Sequence, residues 1–267
     1  MPELPEVERA RALIARRALG RRIEAVDDRD EWVCRPHTPG EIAHALTGAT
    51  LTRAHRRGKT MWVETDADAV LGLHLGMAGR IVVDTDAEGD RPGRGEGDDG
   101  QVRDPHPRGW DRFALRFDDG GRLVLRDKRR LGRVRLDPDL SDLGPDAAEI
   151  SRQAFRRAVG SGTAPVKARI MDQSAIAGVG NLLADETLWR ARLDPQRPAG
   201  ELGVEELDHL RRELRAATRS AIRHGGVHTG ELIPARRRGG ACPRCGAPME
   251  RATVGGRTTW WCPEEQR

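Results

Sequence analysis

Residues 166–181 read VKARIMDQSAIAGVGN. The run from Val166 to Gln173 has helical periodicity, Ala177-Gly178-Val179-Gly180 breaks it, and Asn181 opens a second helical run. A helix start at Asn181 offers free backbone amides, and the Asn side chain and the Lys167 ammonium would add to them, which makes an anion site. Helix-turn-helix elements present this geometry to DNA. An ordinary αα-hairpin shares the pattern, although Gly-x-Gly-Asn is more specific than most such turns.

The helical texture extends outward, through QAFRRAV, NLLADETLWRARL and VEELDHLRRELRAATRSAIR, from Ser151 to about Arg223. Upstream it stops at Asp137-Pro138. Before that point come short β-like runs at 22–27, 49–55, 60–65, 70–75 and 79–83, then a hairpin over 112–127 turning at Asp119-Gly120, with strand character continuing to about Leu136. Residues 4–19 predict a helix, with Pro5 in its first turn and Gly20 at its end. Residues 84–108, rich in Gly, Asp and Pro, predict a mobile loop. The tail 234–267 is too short for a core and predicts a metal staple. The expected fold is therefore α+β, with a β-rich segment 1–136, a helical segment 137–233 and a small module 234–267.

The composition fits a polyanionic partner without demanding one. Charged residues are 33% and hydrophobic residues 37% of the 267, and the net charge is +4. Acidic residues concentrate in 84–104, whereas Arg-rich stretches flank Gly58 and occupy 126–135 and 236–238. Only three of the 46 basic residues are lysines, Lys59, Lys128 and Lys167. A chain that writes its cations as Arg keeps Lys where a compact, proton-exchanging ammonium is useful. No apolar run approaches transmembrane length and the N-terminus is acidic and helical, so a cytoplasmic, membrane-free protein is expected. Four cysteines, three of them crowded at the end, fit a reducing compartment and a metal site better than a disulfide framework.

Further motifs carry chemistry. The chain starts Pro2-Glu3-Leu4-Pro5-Glu6. Once Met1 is removed, Pro2 carries a free secondary amine titrating near ~8 or below, able to attack an aldehyde-like carbon and form an iminium. Glu3 is then a candidate general acid, with Glu6 one turn on; taken alone, the same residues read as a capped helix start. His55-Arg56-Arg57-Gly58-Lys59 offers a close backbone approach and the Lys59 ammonium for a phosphate or sugar oxygen, or else a basic hairpin edge. Leu73-His74-Leu75-Gly76-Met77-Ala78-Gly79-Arg80 sets an apolar Met77 on a turn, where it can fill the gap left by an extruded base or simply join the core. In Lys128-Arg129-Arg130-Leu131-Gly132, Arg129 and Leu131 would share one side of a strand, facing an orphaned base and prising the stack. Cys242-x2-Cys245-x16-Cys262 resembles a zinc ribbon whose fourth position is Glu265, with Arg257 at the tip between the knuckles.

Taken in their order along the chain, the six motifs resemble the bacterial formamidopyrimidine-DNA glycosylase and endonuclease VIII family along almost the whole chain, with PELPEVE closer to the formamidopyrimidine branch. The resemblance implies a bifunctional glycosylase and abasic-site lyase that acts as a monomer on damaged double-stranded DNA. It implies an N-terminal β-sandwich, a helix–two-turn–helix domain and a zinc β-hairpin. Pro2 would be the Schiff-base nucleophile, Glu3 would protonate the deoxyribose ring oxygen, Glu6 would support it, and Lys59 would assist the lyase steps. Met77, Arg129 and Leu131 would fill the void, Lys167 and Asn181 would hold backbone phosphates, Arg257 would act from the finger tip, and Cys242, Cys245, Cys262 and Glu265 would hold one zinc. Four features depart from the family: Leu131 stands where Phe is usual, few residues follow Gly225-Gly226 where a lesion-capping loop belongs, Pro234-Ala235-Arg236-Arg237 replaces a VYGR-like stretch, and Glu265 replaces a cysteine. The rival readings are a non-catalytic lesion binder, a zinc-ribbon regulator, and a paralogue of the same chemistry with a different lesion.

Overall fold

The computed structural model describes residues 1–84 and 108–267. The expectation of a mobile loop at 84–108 falls almost entirely outside them. The chain divides into two compact units, one of Met1–Pro2 and Val7–Leu140, the other of Glu3–Glu6 and Ser141–Arg267.

The first unit takes up helix α1 (Leu4–Arg17) from Val7 onward, and the helix buries Val7, Ala10 and Ile14 at helical spacing, with Ala18 buried just past its end. Strand β1 (Ile23–Asp27) follows, then two short helices the sequence reading did not anticipate, α2 (Glu31–Cys34) and α3 (Glu41–Leu46). Among the described residues seven further strands follow: β2 (Leu51–Arg57), β3 (Thr60–Thr65), β4 (Val70–His74), β5 (Arg80–Asp84), β6 (Asp111–Phe117), β7 (Arg122–Arg126) and β8 (Arg133–Leu136). They form two four-stranded antiparallel sheets, ordered β1-β6-β7-β5 and β2-β3-β4-β8. Ile23, Phe113, Leu115, Phe117 and Leu125 of one sheet share a core with Leu51, Met61, Val63, Leu71, Leu73 and Val134 of the other. This is a β-sandwich, and each fully buried side chain of this size contributes about 1.5–3 kcal/mol.

One local expectation fails. Strand character does not run unbroken to Leu136: β7 ends at Arg126, residues 127–132 form a turn, and β8 starts at Arg133. Arg129 and Leu131 therefore lie on a turn rather than along one side of a strand.

The second unit is helical. Helices α4 (Arg152–Val159), α5 (Val166–Met171), α6 (Asn181–Ala191) and α7 (Val204–His224) enclose a core of Phe155, Ile170, Val179, Leu183, Leu188, Leu210 and Leu214, with Leu4 among them. Between α5 and α6 the Gln173 amide organises the turn. Its Nε2 donates to the carbonyls of Met171 (2.7 Å) and Val179 (2.9 Å), and its Oε1 accepts from Gly178 N (3.0 Å). Strands β9 (Glu250–Val254) and β10 (Arg257–Trp261) make the terminal hairpin. The tail has more apolar support than its length suggested, because Cys242, Met249 and Cys262 cluster with Trp189 of α6 and with Leu232. Among the described residues no helix is long and apolar enough to cross a membrane.

Candidate active site and nucleic-acid interface

Glu3 is 1% exposed and belongs to the helical unit. Its Oε2 accepts from the backbone N–H of Gly180 (3.1 Å) and Leu183 (3.0 Å), and its Oε1 from that of Leu182 (2.9 Å). Three donors at the start of α6 suit an ionised, acceptor-only carboxylate. The sequence reading left these amides free for a phosphate; the chain's own Glu3 takes them instead. A side chain at Gly180 would collide with the Glu3 carboxyl group, which explains the glycine there. Glu6 braces the same stretch, accepting from Glu3 N (2.9 Å) through Oε2 and from Val227 N (2.7 Å) through Oε1. Leu4 N donates to Gly178 O (3.1 Å). The segment after Pro2 is thus fixed at both carboxylates, and Pro2, partly exposed behind the exposed Met1, is the residue joined to it.

In the sandwich, Lys59 follows Gly58 in the β2–β3 turn, and its neighbour Thr60 pairs across the sheet with His74, which pairs in turn with Arg133. These residues share one sheet end. His74 was quoted in its motif but given no role; its position at the end of β4, one strand from the Lys59 turn, was the available signal. Its imidazole is held below its ordinary value by burial and by the charges of Lys59 and Arg135. His74 Nδ1 accepts from Gly76 N (3.1 Å), which leaves Nε2 as the donor of the neutral ring. Met77 is 42% exposed on the turn that follows. Gly76 has φ +59, and a side chain on it would strike the Leu131 backbone, so the turns carrying Met77 and Leu131 lie against each other. Asp127, fully buried and not foreseen, builds the second turn: its carboxylate accepts from the N–H of Arg129 (2.9 Å), Leu131 (2.8 Å) and Gly132 (2.7 Å). Arg129 is exposed and Leu131 half-buried, while the intervening Arg130 turns aside to Asp30 (2.8 and 3.0 Å). Met77 and Leu131 thus lie on adjoining turns, with Arg129 exposed on the second.

Residues 1–134 match the family model of the formamidopyrimidine-DNA glycosylase N-terminal domain, and residues 143–231 match that of the formamidopyrimidine-DNA glycosylase H2TH domain. The chain belongs to the formamidopyrimidine-DNA glycosylase family. Its similar relatives include the formamidopyrimidine-DNA glycosylases of a Nocardioides species, 36% identical over 98% of this chain and 93% of that one, and of a Roseiflexus species, 32% identical over the full length of both. Similar solved structures include Lactococcus lactis Fpg in complex with abasic-site DNA (26% identity, TM-score 0.80, 99% of each chain) and MutM in complex with DNA containing carbocyclic 8-oxo-G (27%, 0.81, 100% of each).

Within this glycosylase, two expectations for the helical unit, those for Lys167 and Glu265, need correction. Lys167 is wholly buried. Its ammonium meets Asp185 Oδ1 (2.6 Å) and donates to Thr259 Oγ1 (2.6 Å) and Thr258 O (3.4 Å), so it does not reach out to a phosphate. Asn181 Nδ2 donates one of its two hydrogens to Thr258 O (3.0 Å). Glu265 does not join the thiols. Its Oε2 lies 3.4 Å from Arg244 and 3.6 Å from Arg192, and it is not among the groups gathered at the thiols. Arg257 does stand exposed at the hairpin tip, as expected.

The sulfurs of Cys242, Cys245 and Cys262 lie within 4.8 Å of one another. A tetrahedral zinc with bonds near ~2.3 Å needs sulfurs about 3.8 Å apart, so these thiols fit three corners of such a site. At Cys242 burial opposes ionisation, but the Trp189 indole N–H (3.4 Å) and the backbone N–H of Cys245 and Arg244 outweigh it and bring the thiol down to about 7.

Proposed function

We propose that this chain, a DNA glycosylase of base excision repair, also cleaves the strand as an abasic-site lyase, with the Pro2 amine as nucleophile. The observation that carries the reading is the Glu3 carboxylate, locked by three backbone N–H groups immediately after Pro2. Removal of Met1 frees the secondary amine. Its nitrogen bonds to C1′ of a flipped deoxynucleotide, and the glycosidic bond breaks with its electron pair leaving on the base. Glu3 takes the proton released by the attacking amine and hands it to the ring oxygen as the C1′–O4′ bond opens, while its charge offsets the cationic iminium. The iminium acidifies the C2′ proton, β-elimination expels the 3′ phosphate, and δ-elimination expels the 5′ phosphate. Glu6 holds Glu3 in place. Lys59 and neutral His74 serve the phosphates at their sheet end, Met77, Arg129 and Leu131 occupy the void left by the flipped nucleotide, and Arg257 meets the backbone from the hairpin. Cys242, Cys245 and Cys262 are the residues that would hold one structural zinc, which would supply folding support at the base of the hairpin.

The lesion follows from the segment after α7. Val227 N is tied to Glu6, and Glu231 N (3.2 Å) and Leu232 N (2.9 Å) to Glu186, so residues 226–235 run close to the helices instead of arching over a base. Recognition of a flipped oxidised purine loses contacts, and abasic and ring-opened sites become the preferred substrates. A panel of duplexes carrying an abasic site, a formamidopyrimidine, 8-oxoguanine or an oxidised pyrimidine tests this. Cleavage of the first two with β,δ-elimination ends, and slow 8-oxoguanine release, is expected. Binding without strand cleavage on every duplex contradicts the lyase reading, and a dominant 8-oxoguanine preference contradicts the lesion assignment.

A further inference from the structure

Lys167 is one of three lysines in the chain, and it is buried with Asp185 beneath the terminal hairpin. The Lys167 ammonium lies 2.6 Å from Asp185 Oδ1 as an ion pair and donates to Thr259 Oγ1 and Thr258 O. The other oxygen of Asp185 accepts from Arg236 Nε (2.8 Å) and from Trp260 N (3.3 Å). Thr258 O also accepts from Asn181. Two helices, α5 and α6, and the stretch before the cysteines therefore converge on Thr258, Thr259 and Trp260, the three residues directly after Arg257. A buried ion pair tied to the hairpin at several points fixes geometry, because either charge left alone in the interior is heavily penalised. None of these bonds involves a cysteine.

We propose that Lys167 and Asp185, with Arg236, are positioning residues that latch β10 onto α5 and α6, holding the Arg257 tip in place independently of any metal at the three thiols. The latch accounts for two departures from the family at once. Arg236, in the stretch that replaces the VYGR-like sequence, supplies its second cation, and a thiol set short of one member suffices because the tip is held elsewhere. That the held tip serves DNA rests on the function proposed above; the latch itself does not.

The test uses the full chain, as purified and after removal of metal by chelation, with amide hydrogen exchange read over 257–261. Chelation is expected to leave protection there within about threefold, whereas Asp185→Asn accelerates exchange by at least about tenfold with α4 and α7 unchanged. Where Asp185→Asn unfolds the helical unit, Thr259→Val, which removes one hydroxyl at constant shape, gives the same local acceleration in smaller degree. On an abasic-site duplex, Asp185→Asn raises Kd with kcat on bound substrate unchanged, Arg257→Ala also raises Kd, and the double variant is no weaker than the worse single one. Lys167→Arg recovers part of the protection that Lys167→Met loses. The proposal is overturned if chelation alone opens 257–261, or if Asp185→Asn and Thr259→Val leave its exchange unchanged. Loss of protection in both variants with no effect of Arg257→Ala on Kd supports the latch and removes only the tip's role in DNA binding.

Discussion

At Glu3, three backbone N–H groups converge on one buried carboxylate, and Gly180 supplies the space beside it. Glu3→Gln keeps the shape but sets an NH2 group against N–H donors. One buried donor then goes unpaired, at about 1–3 kcal/mol of folding stability, and the proton carrier is lost. Single-turnover base release should fall by at least about 100-fold, while denaturant unfolding shows only the modest loss. His74 gives a pH signature. Its folded-state value lies below the ordinary 6.5, chiefly because it is buried, with Lys59 and Arg135 adding to the effect. Below pH 6.5 the unfolded chain binds a proton there that the folded chain still refuses, so stability is complete above that pH and declines as pH falls through and below it. Urea midpoints between pH 5 and 7.5 should drop less steeply for His74→Gln than for the parent chain. The candidate nucleophile was legible from the first residues of the sequence. The partner of Glu3 was not, because nothing local links residue 3 to an amide 177 positions away.

The β7–β8 connection shows how an element is misread. DKRRLG over 127–132 looks like continuing strand when only alternation is considered. Its first residue, Asp127, instead collects three N–H groups from the following five residues and closes a turn, which is the Asx behaviour the composition offered. That turn aims Arg129 and Leu131. Asp127→Ala should leave those donors unpaired in a buried place and loosen both turns, costing about 2–4 kcal/mol. A fluorescent base analogue placed beside the lesion should show a weakened unstacking signal on binding, more so than for Met77→Ala; an undiminished signal would mean the turn is not what presents the wedge. The hairpins and the long helices were readable because their periodicity and turn residues are local. Helices α2 and α3, four and six residues long, are too short to show a period.

Across the molecule, the division into a β-rich half and a helical half was visible in the change of texture at Asp137, yet residues 3–6 belong with the helical unit. A boundary read along the chain cannot find a segment that crosses it. The tail illustrates the same limit: its thiols were legible by spacing, while the buried Lys167–Asp185 pair and Trp189 beneath them depend on tertiary contact. Protein purified without chelator should carry zinc in proportion to chain, and Glu265→Ala should not reduce that content, since its carboxylate is held by Arg192 and Arg244; metal analysis of the two proteins checks both. The central claim concerns the first residue after Met1. Borohydride added to the enzyme on an abasic-site duplex should trap a covalent adduct, and peptide mass analysis should place the reduced bond on the nitrogen of Pro2. Protein that retains Met1 should trap none. An adduct located on Lys59 or another side chain, or undiminished trapping by the Met1-retaining protein, would contradict the account.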